Sequence, residues 1–472
     1  MIAAAYGTGA SRGIFLGEAL RDVVEDPEAL VAVATPEPVA GVAPALEDAV
    51  HPGVGLRSLV AAKLALAMFL HHFSLGAWIV TLGNYVQAHS GEAGMFSAGF
   101  VGIAYSAGPL GGMVAPFVTG LLADHLFATE RIMCVLHLCG AAALACAVSA
   151  DSQAGFYVAL IAYFVCFIPS FALVSSMTLH HLADPARDFP IVRAFSTMGW
   201  IAGGVFVGWL WPQATGEVIE ATAVPMTIAM VGGVVTAAFC LLLPHTPPAN
   251  RRPAASTGGI SLKDTLDLVW RPRFLVLIAI AVLAHAPSQF YYAYGNVYLN
   301  WVGMTHPAAK LTLGQVTEVA MMFMLPLVLL RISVKASIVV GMLVWSLRFW
   351  MLSAAAGSTG AAQTALLYTA VITHGVAFTL TSIALQLEVD MCAGRKRRAT
   401  AQGLLAVAMS GMGCFLGAQM AGLAGARLLP AEVHGATAAG WTQFWAIPAW
   451  GSAAVVLFTA LFLSSGVARR RN

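Results

Sequence analysis

GFYVALIAYFVCFIPSFALVSSMT, residues 155–178, runs for 24 positions without a charged side chain. Wound as an α-helix it would be about 36 Å long, more than the roughly 30 Å of hydrocarbon in a bilayer. A helix apolar on every side is buried in a large core or in lipid. The rest of the chain decides between them. Comparable runs lie at 63–86, 97–122, 131–150, 190–211 and 222–243 on its own side of the midpoint. Six more follow at 274–300, 311–330, 336–356, 362–387, 399–426 and 442–464. The composition agrees: of 472 residues 59% are hydrophobic and only 10% charged, with a mean hydropathy of +0.80. Soluble proteins carry about 25% charged residues, so there is too little charge here to cover a surface. That excludes a soluble globular protein and a disordered chain, and a net charge of +2 implies no nucleic-acid partner. The expected solvent is the lipid bilayer, and the expected fold is all-α, an integral membrane protein of twelve transmembrane helices.

The polar segment between the runs divides the chain. Residues 245–272, with Pro247-Pro248 and Arg251-Arg252-Pro253, read as a cytoplasmic linker, with a short surface helix over Ser261–Val269. It separates a six-helix bundle at 59–244 from a second at 273–466, a layout of two parallel repeats. Residues 1–58 hold eight acidic groups and no long apolar run, and read as a flexible acidic tail without a secretory signal. Residues 467–472 form a basic cytoplasmic tail. With both termini in the cytoplasm, 21 of the 24 Lys and Arg fall in inside segments or at their edges. Arg348 lies within a helix, and only Lys310 and Arg427 fall outside. This asymmetry sets the orientation.

Seven cysteines are scattered, and none forms a CxxC, so neither a disulfide framework nor a zinc site is expected. The phosphate-binding GxxxxGK[ST], the GxSxG elbow and HExxH are missing. No enzyme, catalytic residue, metal or cofactor is expected. His180, His181, Asp184 and Asp188 share a loop at spacings that suit no standard metal site. Gly108/Gly112, Gly199/Gly203, Gly204/Gly208 and Gly413/Gly417 are spaced for close helix packing.

Polar side chains at membrane depth cost several kcal/mol on insertion scales, and usually line an internal pathway. Gln315 and Glu318 share one face of the eighth run, Glu318 too deep for its side chain to reach the interface. A structural carboxylate is the competing reading. In the seventh run Gln289, Tyr292 and Asn296 share a face, Tyr291 and Tyr294 suit packing equally well, and Tyr298 and Trp301 suit an outer interfacial belt. His374, Phe378 and Thr381 form a stripe in the tenth run, with Thr379 beside it. A lone histidine such as His374 is more often a packing residue than a ligand, and the same holds for His71 and His72. Arg193, with Thr197 one turn deeper, reads either as a ligand contact or as a loop charge.

Gly120-Leu121-Leu122-Ala123-Asp124 followed by Arg131 resembles the loop signature of the major facilitator superfamily, with His125 where a basic residue is usual. Longer stretches resemble the nucleoside:proton symporter family within it. They include LGAWIVTLGNY (75–85), DFPIVR (188–193), LPHTP (243–247), QVTE (315–318), WSLRF (345–349) and ATAQG (399–403). They span about residues 64–465. The resemblance implies an inner-membrane, multi-pass transporter that alternates access to a central cavity, taking up nucleosides with protons. It places the family's binding residues on Arg193, Thr197, Gln289, Gln315, Glu318 and Phe378. Two positions depart: the family's helix 7 asparagine falls on Tyr292 and its helix 10 aspartate on Thr379. Glu318 is then the candidate for proton coupling, with a histidine (His374, His285, His71 or His72) or uncoupled facilitated transport as the alternatives. The chemistry fits a nucleoside, since a ring stacks on the base, amides match its edges and a carboxylate accepts ribose hydroxyls. A sugar or another small polar solute would use the same groups. A transporter-like receptor or scaffold without coupled transport is the alternative of another class.

Overall fold

The computed structural model describes residues 59–463 apart from 93, 126, 183, 249–266, 395–396 and 431–434. Helix α1 (Leu59–Gly76) resumes after a break as α2 (Leu82–Ala88). Then come α3 (Phe100–His125), α4 (Thr129–Val148), α5 (Gln153–His181), α6 (Arg187–Thr215) and α7 (Val224–Cys240). Beyond the linker lie α8 (Pro272–Trp301), α9 (Pro307–Leu329), α10 (Val334–Ala356), α11 (Gly360–Ala393), α12 (Thr400–Leu428) and α13 (Ala438–Phe462). Among the described residues there is no strand, and ten helices are long and apolar enough to cross a membrane. Each of the twelve apolar runs lies on one of these helices, the first on α1 and α2 together. The two terminal tails, and residues 261–266 of the expected surface helix, fall outside the described residues.

The break at residues 77–81 has a local cause. Trp78 is fully buried, its indole N–H directed at the Tyr163 hydroxyl at 3.4 Å. Thr81 donates its hydroxyl to the Trp78 carbonyl at 2.9 Å, and Tyr105 donates to the Ile79 carbonyl at 2.5 Å. Side chains thus take over carbonyls that the interrupted helix leaves free, a requirement where no water is available. Single π turns widen α6 at Phe206–Leu210, α11 at Thr379–Ile383 and α12 at Val407–Gly413. Such turns recur at functional sites. The one in α11 begins directly after Phe378.

Helices α1–α7 pack mainly among themselves, as do α8–α13, and the two sets meet along α3 with α12 and α6 with α9. The glycine spacings mark these contacts, as their sequence implies. A Cβ at Gly199 would collide with the Phe69 carbonyl of α1, and one at Gly203 would lie 2.6 Å from the Phe73 carbonyl. On its other side α6 sets Gly204 against Thr312 and Gly208 against Ala309, both of α9. Overpacking of this kind costs about 1–3 kcal/mol. Gly199→Val is therefore expected to lower the unfolding temperature of the purified protein. An unchanged melting curve would mean that the α1–α6 contact is not as close as described.

Polar contacts between the sets gather at the end of the molecule that carries Ala88, Thr215 and Trp301. There His306 Nδ1 lies 2.8 Å from the Gly208 carbonyl, and Glu220 receives donors from α2, α8 and α9. At the opposite end Lys63 bonds to the Leu242 carbonyl, Arg273 pairs with Glu388, and Arg398 pairs with Asp390, each within one set. These side-chain bonds between the sets thus lie at one end, and the three at the other stay within a set. One expectation fails in this region. Tyr298 does not belong to an interfacial belt: it is fully buried, donates to the Leu352 carbonyl at 2.8 Å and packs on Trp441 and Trp445. The apolar interior between α8, α10 and α13 claims its ring.

Candidate functional site

The deep polar residues meet between α6, α8, α9 and α11. Arg193 of α6 and Glu318 of α9 lie within electrostatic reach of each other, one from each helix set. The guanidinium carbon of Arg193 also sits 4.4 Å from the centre of the Phe171 ring, a cation–π contact that helps hold a charge in a poorly solvated place. Glu318 Oε2 is 4.0 Å from His374 Nε2 on α11. This approach depends on two glycines. A Cβ at Gly375 would collide with the Glu318 backbone nitrogen, and one at Gly314 would lie 3.1 Å from the His374 Cβ. Thr317 secures the crossing by donating to the Ile372 carbonyl at 2.7 Å.

Aromatic rings wall this centre. His374 is buried with ring centroids 5.4 Å from Tyr291, 5.8 Å from Tyr292, 5.5 Å from Trp345 and 6.1 Å from Phe378. Tyr292 also feels the charge of Glu318 and lies near Cys414, to whose sulfur Gln289 donates at 3.2 Å. Arg193, Tyr292, Glu318, Phe378 and Gln289 are thus linked, directly or through His374 and Cys414. Thr197 and Gln315 stand one helical turn from Arg193 and Glu318, both partly exposed. Thr379 differs. It is fully buried and its hydroxyl has no hydrogen-bond partner, whereas Tyr292, Gln315, Glu318 and Phe378 each keep some open surface.

Three groups gain a role that their sequence does not announce. Arg348 is fully buried between the rings of Tyr291 and Trp345, 4.3 and 4.6 Å from their centres, and its Nε donates to the Ala370 carbonyl at 2.7 Å. His374, read as a packing residue, also approaches Glu318. Asn296 shares the face of Gln289, but two turns further along it binds Glu220 at 2.9 Å, far from Glu318 in sequence and on another helix. Only the pairing, which is long-range, separates these roles. Of the other histidines read in the apolar runs, His285 bonds to the Ala281 carbonyl and to Ser382, and His71 contacts His137 and Ser170. Among the described residues no cluster of His, Cys, Asp or Glu could hold a metal ion. The arrangement can stack a flat ring, match donors and acceptors on its edge, and exchange a proton at a carboxylate opposite an arginine.

A family model described as nucleoside H+ symporter matches residues 59–466. The chain belongs to the nucleoside H+ symporter family. YegT of Escherichia coli (strain K12) is 31% identical over 411 residues, covering 85% of this chain and 92% of that protein. The xanthosine permease of the same organism is 27% identical over 381 residues, covering 77% and 88%. The crystal structure of nucleoside transporter NupG covers 86% of this chain and 100% of that one, with a TM-score of 0.75 and 22% identity. At that identity the likeness establishes the fold, a major facilitator fold. As a nucleoside H+ symporter family member the chain is a multi-pass membrane transporter and not an enzyme.

Proposed function

We propose that this transporter takes up nucleosides together with protons through alternating access. The observation that carries the reading is Glu318, 4.0 Å from His374 in a centre lined by aromatic rings and within electrostatic reach of Arg193 of the other helix set. A relative that is a xanthosine permease and another that is a nucleoside permease support the substrate class. In this reading Phe378 stacks on the base, Gln289 and Gln315 match its polar edge, Arg193 and Thr197 hold it from α6, and Glu318 carries the proton, with Tyr292 and Thr379 shaping the wall. Titration at Glu318 would make and break the attraction between the sets.

The topology follows from the same reading. Adding α3, 26 residues long, and α7, 17 residues long, to the ten apolar helices makes twelve spans in two bundles, 59–244 and 273–466. The excess of Lys and Arg supports an orientation in the inner membrane with both termini and the linker in the cytoplasm. The joined end then faces outward, and the molecule is closed to the outside.

Loss of one hydrogen bond in such a site costs about 1–3 kcal/mol, or roughly 5- to 150-fold in affinity. Gln315→Ala is expected to weaken radiolabelled nucleoside uptake into proteoliposomes by that much, with normal membrane insertion. Wild-type affinity for every nucleoside would remove this face from the site. Nucleoside binding by the unaltered protein without any accumulation would overturn the transport reading in favour of a receptor.

A further inference from the structure

Glu220 lies in the loop between α6 and α7, outside the membrane-spanning segments, yet it is 3% exposed. Its Oε2 accepts from the side-chain amides of Asn84 at 3.3 Å, Asn296 at 2.9 Å and Asn300 at 3.3 Å. Its Oε1 accepts only the backbone N–H of Ala308, at 3.3 Å. These partners come from α2 in the first helix set and from α8 and α9 in the second, so one carboxyl group ties both sets together. A second tie lies beside it. His306, whose φ of 54° is in the left-handed region rarely adopted by a side-chain-bearing residue, reaches the Gly208 carbonyl across the same seam.

The hydrogen-bond count is unbalanced in an informative way. Asn296 gives its side-chain N–H to Glu220, but its side-chain oxygen Oδ1 is buried without a donor. A buried acceptor left unpaired carries its full desolvation cost. A proton on Glu220 removes that cost, because a carboxylic acid and a primary amide pair reciprocally: the amide N–H donates to one carboxyl oxygen while the acid O–H donates to the amide oxygen.

We propose that Glu220 is a second proton-binding site, which takes a proton from the outer solution as the outer end closes and holds that end shut as an acid–amide latch with Asn296. The Oε1–H bond forms, the proton comes from outside, and no other covalent bond changes. The proposal rests on the transporter reading and on the outward placement of this end. Burial pushes the Glu220 carboxyl above its ordinary value, with Asn296, Asn300, the Ala308 N–H and His306 pulling it partway back. The sign follows by linkage. The closed state binds the proton more tightly than an open state with a solvated carboxyl, so acid favours closure and alkali favours opening. Of the groups facing Glu220, Asn84, Asn296 and Asn300 are neutral amides and His306 is the titratable one.

The test is a distance measurement between spin labels at Ala214 and Thr359, exposed positions in the two sets near this end, as a function of pH. The wild type is expected to shift from a longer to a shorter distance as pH falls, with a midpoint above the ordinary glutamate value of about 4.3. Glu220→Gln imitates the protonated acid and should stay closed at every pH. Glu220→Ala should lose the pH response and favour the open distance. His306→Gln should keep a pH-driven shift, though not at the wild-type midpoint, since His306 pulls on the Glu220 carboxyl. A wild type whose distances ignore pH, or a glutamine variant that follows the wild-type midpoint, overturns the proposal. Infrared difference spectra of the wild type supply a readout that needs no variant: closure should bring up a buried carboxylic-acid band, and its absence also overturns the latch. Uptake assays report separately on the transport reading, since a failed latch would leave nucleoside accumulation in place.

Discussion

Glu318→Gln is expected to abolish nucleoside accumulation driven by a pH gradient while leaving counterflow of solute down its own gradient. Glutamine keeps the shape and hydrogen-bonding reach of the side chain but fixes its charge at zero. The contact with His374 at 4.0 Å and the packing against Gly375 survive the change, so the fold should too. What is lost is the ability of the centre to alternate between an attracted pair, Arg193 with a carboxylate, and a neutral acid beside a lone cation. A symporter needs a group that gains and loses a proton as the cavity changes sides, and Glu318 is the carboxylate at the meeting point of the two sets. The measurement is uptake into proteoliposomes with and without an imposed pH gradient. Gradient-driven accumulation at the wild-type level in the glutamine variant would move coupling elsewhere, with Glu220 the next group to examine.

Arg193→Lys is expected to insert normally and transport poorly, with uptake reduced by an order of magnitude or more. Orientation in the membrane depends on positive charge, which lysine supplies. The guanidinium does more here: its central carbon lies 4.4 Å from the centre of the Phe171 ring while its charge faces Glu318. A lysine ammonium is a compact point charge without the flat face or the fork of donors, so it cannot reproduce the guanidinium's stacking on Phe171. Full uptake by the lysine variant, at wild-type abundance in the membrane, would return Arg193 to the role of a loop charge.

Much of the molecule is legible in the sequence because lipid leaves few choices. Long apolar runs must be helices, so each run falls on a helix, and the glycine pairs at 199/203 and 204/208 mark real crossings. Polar residues at depth are costly, which is why Gln289, Gln315 and Glu318 stand out against the apolar runs that carry them. The sequence does not say what those residues meet. Arg348 looks like an isolated charge until Tyr291 and Trp345 close over it, and His374 looks like filler until Gly375 lets α9 approach. Asn296 shares a face with Gln289 yet serves another carboxylate. Glu220 escapes a linear reading for a plainer reason. An acidic residue in a short loop, here with Glu217 three positions before it, reads as solvated, and only the fold, by bringing α2, α8 and α9 around it, makes it buried.

The glycine faces of α6 have a mechanical meaning beyond packing. Gly199 and Gly203 seat the helix against α1, its neighbour within one bundle, while Gly204 and Gly208 turn toward α9 in the other. Side chains that interlock like teeth must be disengaged before two bodies can rock past each other, and each disengagement adds to the barrier. A surface of glycine against threonine and alanine has no teeth. Helix α6 can therefore act as a plain bearing: clamped on one side, free to slide on the other, and carrying Arg193 along with it as the bodies tilt. Turnover would then be governed less by the friction of the seam than by the few polar fastenings that cross it.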